Sequence, residues 1–142
     1  MSRDPAIRQF ASEHLQTERR LLAFFDEFLP STAKTRLTSV WRVAGFLTGA
    51  LPALIGPRAV FLTIESVEEF VDKHYAGQID ALAADLRLHA LQGKLDEFRC
   101  EEVHHMRDAG RRVGTRIHPI GQAWRRLVGA GSNLGVFLAR RI

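Results

Sequence analysis

The stretch Phe98-Arg99-Cys100-Glu101-Glu102-Val103-His104-His105 decides how the rest of the chain is read. It contains two overlapping Glu-x-x-His pairs, Glu101/His104 and Glu102/His105, one residue out of register. Residues three apart share a helix face, so either pair can offer a carboxylate and an imidazole to one metal ion. The flanking residues separate the two registers. Leu91, Leu95, Phe98, Glu102, His105, Ala109 and Val113 form an otherwise apolar stripe at helical spacing. Lys94, Glu97, Glu101, His104 and Asp108 form a polar one that reads as a wet face. Glu102 and His105 therefore interrupt a core-facing stripe, and a carboxylate aimed at a core is costly unless it is paired or metal-bound.

Outward from that stretch, the composition is that of a folded domain. The chain has 142 residues, 46% hydrophobic and 25% charged, which fits one globular unit spanning 1–142 and excludes a disordered chain. A single cysteine excludes an intramolecular disulfide framework. With no signal-peptide pattern at the start, the expected compartment is reducing. The net charge of +4 comes largely from arginines after Gly110. A solvated basic face is the favoured reading, with an anionic lipid surface or nucleic acid as alternatives. Nucleic acid is the weakest, because no exposed aromatics interleave the arginines and no recognition helix is visible.

The pattern is helical throughout. Asp4-Pro5 reads as an N-cap and first-turn proline opening a helix that runs to about Leu29, where Pro30-Ser31 ends it. Its stripe is Ile7, Ala11, His14, Glu18, Leu21, Phe25 and Phe28. Lys34 and Arg36 precede an apolar run, Val40 to Ile55, interrupted by Gly45, Gly49 and Pro52. That run falls short of the roughly 18–20 residues needed to cross a bilayer. It reads either as a buried core helix, which length favours, or as a helix lying in a membrane interface with Trp41 at headgroup level. Pro57 after Gly56 restarts a helix to about Ala84, with the stripe Phe61, Ile64, Glu68, Val71, Tyr75, Ile79 and Leu82. A fourth helix, Leu86 to Val113, carries the opening motif. Gly114 and Pro119 bracket a turn before a last helix with Ile120, Trp124, Leu127, Leu134 and Leu138 on one side. Arg125, Arg126, Arg140 and Arg141 occupy the remainder. The expected fold class is all-α.

Three helices thus each put a glutamate on the inward stripe: Glu18, Glu68 and Glu102, with His105 one turn beyond the last. No arginine or lysine shares those stripes to neutralise them. Convergence on a cation is the remaining remedy, and carboxylate-bridged iron or manganese in a four-helix bundle uses this inventory.

These residues also carry a family resemblance. Trp41, Ala44-Gly45-Phe46, Gly49-Ala50 and Leu54-Ile55-Gly56 are followed by Val67-Glu68-Glu69, His74-Tyr75 and Gln78. Then come Phe98-Arg99, Glu101-Glu102, His105, Gly129-Ala130-Gly131 and Leu138-Ala139-Arg140-Arg141. In order and spacing, over nearly the whole chain, this resembles demethoxyubiquinone hydroxylase. The resemblance implies a ferritin-like helical bundle, incomplete at its N-terminus, with a short apolar interfacial helix. It also implies a di-iron monooxygenase of ubiquinone biosynthesis acting on a polyprenylated quinone intermediate, peripheral on the cytoplasmic side of a membrane. The expected partners are that quinone, the membrane surface, and a second copy or a ubiquinone-biosynthesis complex, but no nucleic acid.

Position by position, the resemblance makes Glu68 the bridging glutamate and Glu102 and His105 the second Glu-x-x-His. It sets Glu18 to Phe25 on the family's first Glu-x-x-His-Leu-x-x-Phe, with Leu21 standing where histidine is expected. Nothing in 1–16 matches the family's opening Asn/Asp-His-Ala-Gly-Glu-Tyr helix. Iron ligation is then expected at Glu18, Glu68, Glu102 and His105, with two of six ligands absent and one iron or none as an alternative to two. His14, one turn before Glu18 on the same stripe, is the less favoured candidate for a replacement imidazole, because seven residues move it roughly 10 Å along the helix from Leu21. His74 and Tyr75 are expected as a catalytic relay, against packing alone. The alternative to an enzyme is a metal-poor quinone-binding protein or hydroxylase partner at the membrane.

Overall fold

The computed structural model describes residues 5–30 and 35–141. The expected cap Asp4, the breaker Ser31 and the basic Lys34 lie outside them. The described elements are α1 (Pro5–Phe28), α2 (Thr38–Ile55), α3 (Pro57–Leu82), a short 3-10 turn (Leu86–Leu88), α4 (His89–Val113) and α5 (Pro119–Ala139). Among the described residues there is no strand, so the all-α expectation stands.

The breaks follow local chemistry. Gly56 takes φ 139°, a conformation costly for any residue with a Cβ, and Pro57 opens α3 in its first turn. Gly114 at φ 76° ends α4. The His118 side chain accepts from the Ile120 amide to start α5. The boundary between α3 and α4 lies elsewhere than the expected Ala84/Leu86. The Asp85 carboxylate accepts from the Arg87 amide at 3.0 Å and pairs with its guanidinium, which diverts the chain through the 3-10 turn.

α3 is the spine. It packs most extensively on α4 and also contacts α5 and α2, while α1 lies across α4. Two apolar clusters form. Phe10, Phe61, Leu62, Ala109 and Val113 make one, joined by Ile7, Ile64 and Ile117. Tyr75, Leu95 and Phe98 make the other, joined by Leu21, Phe24 and Val71 among others. Each of α1, α3 and α4 enters both clusters. The residues of each helix that lie between them are the ones that carry the carboxylates and imidazoles.

Two expectations about burial are overturned. The buried-core reading of the Val40–Ile55 run fails, because only Pro52 of α2 is buried. Phe46, Leu54 and Ile55 are 72%, 85% and 81% exposed. The helix also starts earlier, at Thr38, and its 18 residues with mean hydropathy 1.2 are long and apolar enough to cross a membrane by length and composition alone. Trp41 is half-buried and faces Gly135 of α5, where a Cβ would stand 3.5 Å from the ring.

On α5 the expected apolar side splits: Ile120, Leu127 and Leu134 are exposed, whereas Trp124 and Leu138 are half-buried. The inward stripe is Gly121, Trp124, Arg125, Val128 and Gly135. Arg125 does not decorate the surface as expected. It is half-buried and reaches Glu69 Oε2 at 2.8 Å, with Glu65 Oε2 at 3.9 Å. Trp124 Nε1 donates to Thr63 Oγ1 at 2.8 Å, tying α5 to α3. Trp124→Phe keeps the packing and removes that bond, so urea unfolding should show a loss of about 1 kcal/mol. A loss of several kcal/mol would mean that Trp124 acts chiefly by shape.

Candidate metal centre

Between the two apolar clusters, α1 contributes His14 and Glu18, α3 contributes Glu68, and α4 contributes Glu102 and His105. One donor atom from each of His14, Glu102 and His105 lies within 4.8 Å of the others. His14 Nε2 is 3.2 Å from Glu68 Oε1 and 3.5 Å from Glu18 Oε1. His105 Nδ1 is 3.4 Å from Glu102 Oε2, the i,i+3 pairing that the helix pitch imposes. The imidazole rings of His14 and His105 are 4.3 Å apart between centroids. Phe10 stacks on His14 at 5.7 Å and meets His105 edge-on, closing the end of the site toward the first cluster.

The electrostatics are those of buried carboxylates facing imidazoles. Glu102 is 2% exposed and Glu68 4%. Among the described ion pairs no arginine or lysine reaches either. Burial first, and then the charge and hydrogen bond of Glu68, push the Glu102 carboxyl up to about 8. Burial works to lower His14, but its hydrogen bonds to Glu18 and Glu68 and the charges of Glu68 and Glu102 outweigh it and raise the imidazole to about 10. Its Nδ1 is buried without a hydrogen-bond partner. His105 is pushed below the usual histidine range by burial and then by the His14 charge.

The expected ligands are only partly brought together. Glu68, Glu102 and His105 converge. Glu18 stands at the rim with its side chain 42% exposed, and its described contact in the site is with His14. His14, the weaker candidate for a replacement imidazole, lies beside them. Leu21 packs with Tyr75, Leu95 and Phe98, about two turns from the donors, so its level on α1 is that of the second apolar cluster. The sequence signal was available, since His14 shares the apolar stripe with Glu18. A stripe fixes the angle around a helix but not the height at which it meets its neighbour.

Beside His14 an apolar recess of about 230 Å³ is lined by Ile7, Phe10, Ala11, Leu15, Glu18 and Ile64. His74 and Tyr75 diverge, as consecutive helical residues must. Tyr75 is buried, and burial followed by the Glu102, Glu18 and Glu68 charges pushes its hydroxyl above its ordinary value. His74 stacks on Phe70 at 5.7 Å and lines a cleft of about 480 Å³ with Phe137 and Arg140 of α5, where burial and then Arg140 lower it. Cys100 is exposed, on the far side of α4 from the donors.

Comparison with known proteins adds the following. The sequence model of the family described as Ubiquinone biosynthesis protein COQ7 matches residues 1–139. A 3-demethoxyubiquinol 3-hydroxylase of Rhodospirillum rubrum is 35% identical over 130 residues, covering 90% of this chain and 60% of the relative. A mitochondrial NADPH-dependent 3-demethoxyubiquinone 3-hydroxylase of Rattus norvegicus is 30% identical over 128 residues, covering 87% of this chain and 58% of the relative. The human protein of the same description is 27% identical over 132 residues, covering 92% of this chain and 58% of the relative. The chain therefore spans about three fifths of the length of these relatives.

Proposed function

Because the chain belongs to the COQ7 family of ubiquinone biosynthesis proteins, we propose that it acts as a hydroxylase of a polyprenylated quinone intermediate at a membrane surface, with iron held by His14, Glu68, Glu102 and His105. The observation that carries this reading is the convergence of two imidazoles and two buried carboxylates in a place with no other counter-charge. Nitrogen and oxygen donors of this kind suit iron or manganese. When bound, iron supplies the activation of dioxygen that puts an oxygen atom on the quinone ring.

The chain's own residues provide the setting. The two apolar clusters keep water from the donors on either side along the helix axes and lower the local polarity. His105 is neutral at ordinary pH and ready to donate a lone pair, whereas His14 must first lose its proton. Burial and the nearby carboxylates hold the Tyr75 hydroxyl protonated, so in this reading it lends the site a neutral polar group. His74 faces the α5 cleft, on the path by which a reductant or the quinone ring would approach. The outward apolar residues of α2 and α5, flanked by Arg42, Arg126, Arg140 and Arg141, suit a peripheral position on the cytoplasmic side of an anionic membrane.

The test is turnover. The chain, loaded anaerobically with ferrous iron and given a short-tailed demethoxyubiquinone, a reductant and oxygen, is expected to form the hydroxylated quinone. Glu102→Ala and Glu68→Ala are expected to abolish it. A fully iron-loaded protein that makes no product would favour the second reading, a non-catalytic quinone-binding protein or hydroxylase partner. Leu21 standing where the family resemblance expects a histidine is the feature behind that alternative.

A further inference from the structure

The family reading brings two irons, and the donors gathered here do not fit two. We infer that the chain on its own is a single-ion site, in which His14, Glu102 and His105, with Glu68 behind them, hold one divalent transition-metal ion.

Each donor is placed by a different constraint. Glu102 and His105 are fixed by the pitch of α4 and are buried together. Glu68 is fixed on α3, the most heavily packed helix, and is directed at His14 across the bundle. His14 is held by stacking on Phe10 and keeps an unpartnered nitrogen in the interior. Two imidazoles and one carboxylate within 4.8 Å of one another form the two-histidine, one-carboxylate face that holds a single ferrous ion with open positions. The fourth donor raises the charge without adding a second cage.

A second ion finds little. The recess beside His14 is lined mainly by apolar side chains, the Ala11 methyl among them. Glu18 is the remaining carboxylate, and its side chain is 42% exposed. Leu21 is committed to the apolar cluster with Phe98. Cys100, exposed, offers no thiolate inward. The inference goes beyond the hydroxylase reading and does not depend on it, since ion count and turnover are separate measurements. A protein can bind one iron and make no product.

The experiment is an anaerobic titration of the full chain with ferrous iron, with bound metal counted after desalting. Cobalt(II), followed by its visible spectrum, serves as a second probe. One ion per chain is expected at saturation. His14→Ala and His14→Gln should each weaken binding at least about tenfold, with the helical circular dichroism unchanged. Leu21→His should leave the count at one. Two ions per chain, none, or unchanged affinity in both His14 variants would overturn the inference. So would a second ion acquired by Leu21→His, since that would restore the register in which Leu21 stands at the site.

Discussion

Between pH 6.5 and 8 the metal-free protein is expected to lose stability at about 2 kcal/mol per pH unit, steep for a domain whose whole stability is of order 5–15 kcal/mol. Two groups act in the same sense. His14 is raised to about 10 in the fold from 6.5. Its contribution is complete below 6.5 and is lost as pH rises toward 10. Glu102 is raised to about 8 from 4.5, so the fold keeps a proton that the unfolded chain has released, and that difference too grows against the fold as pH rises from 4.5 to 8.

The groups facing His14 are Glu18 on its own helix, Glu68 on α3, and Glu102 and His105 on α4. His105 is depressed and works the other way, but its effect fades above 6.5, the unfolded histidine value. Urea unfolding in chelator across that window reads the slope. Glu102→Gln, which fixes the neutral form, should remove about half of it. A flat profile in the unmodified protein would show that the site is hydrated rather than closed. A bound ion takes the place of those protons, so metal affinity should climb over the same range.

How far the chain could be read without coordinates differs from element to element. The stripe through Leu95, Phe98, Glu102, His105 and Ala109 was legible because both its apolar neighbours and its misplaced carboxylate obey one helical period. Glu68 was legible for the same reason, and the break at Gly56-Pro57 because glycine and proline leave few alternatives there. His14 was not, because periodicity carries no information on how far one helix slides along another. That offset is set by the interdigitation of Phe10 with Phe61 and of Phe24 with Phe98, at 5.5 and 5.4 Å between centroids. The inner face of α5 was hidden for a different reason. Pattern reading assumes that water lies outside, and on α5 Gly121 and Arg125 turn in beside the expected Trp124 while Ile120 and Leu127 turn out. An apolar outer face is what a helix shows when its outer solvent is not water.

That inversion leads to the second large effect. Leu54→Asp/Ile55→Asp is expected to weaken binding to vesicles of mixed neutral and anionic lipid by more than about a hundredfold, read by flotation. Each apolar side chain moved from water into the acyl boundary contributes about 1.5–3 kcal/mol, so losing two removes several. The added carboxylates are repelled by the anionic surface as well. Both positions are more than four-fifths exposed, at 85% and 81%, so nothing inside the bundle loses a contact and the urea midpoint should stay put. Arg140→Ala/Arg141→Ala separates the electrostatic share. Each arginine near the surface contributes about 1 kcal/mol, and that part alone should vanish at high salt. Vesicle binding unaffected by the aspartates would remove α2 from the membrane surface. The open apolar faces would then have to be covered by protein, and sedimentation of the same double variant would show it as a smaller assembly than the parent.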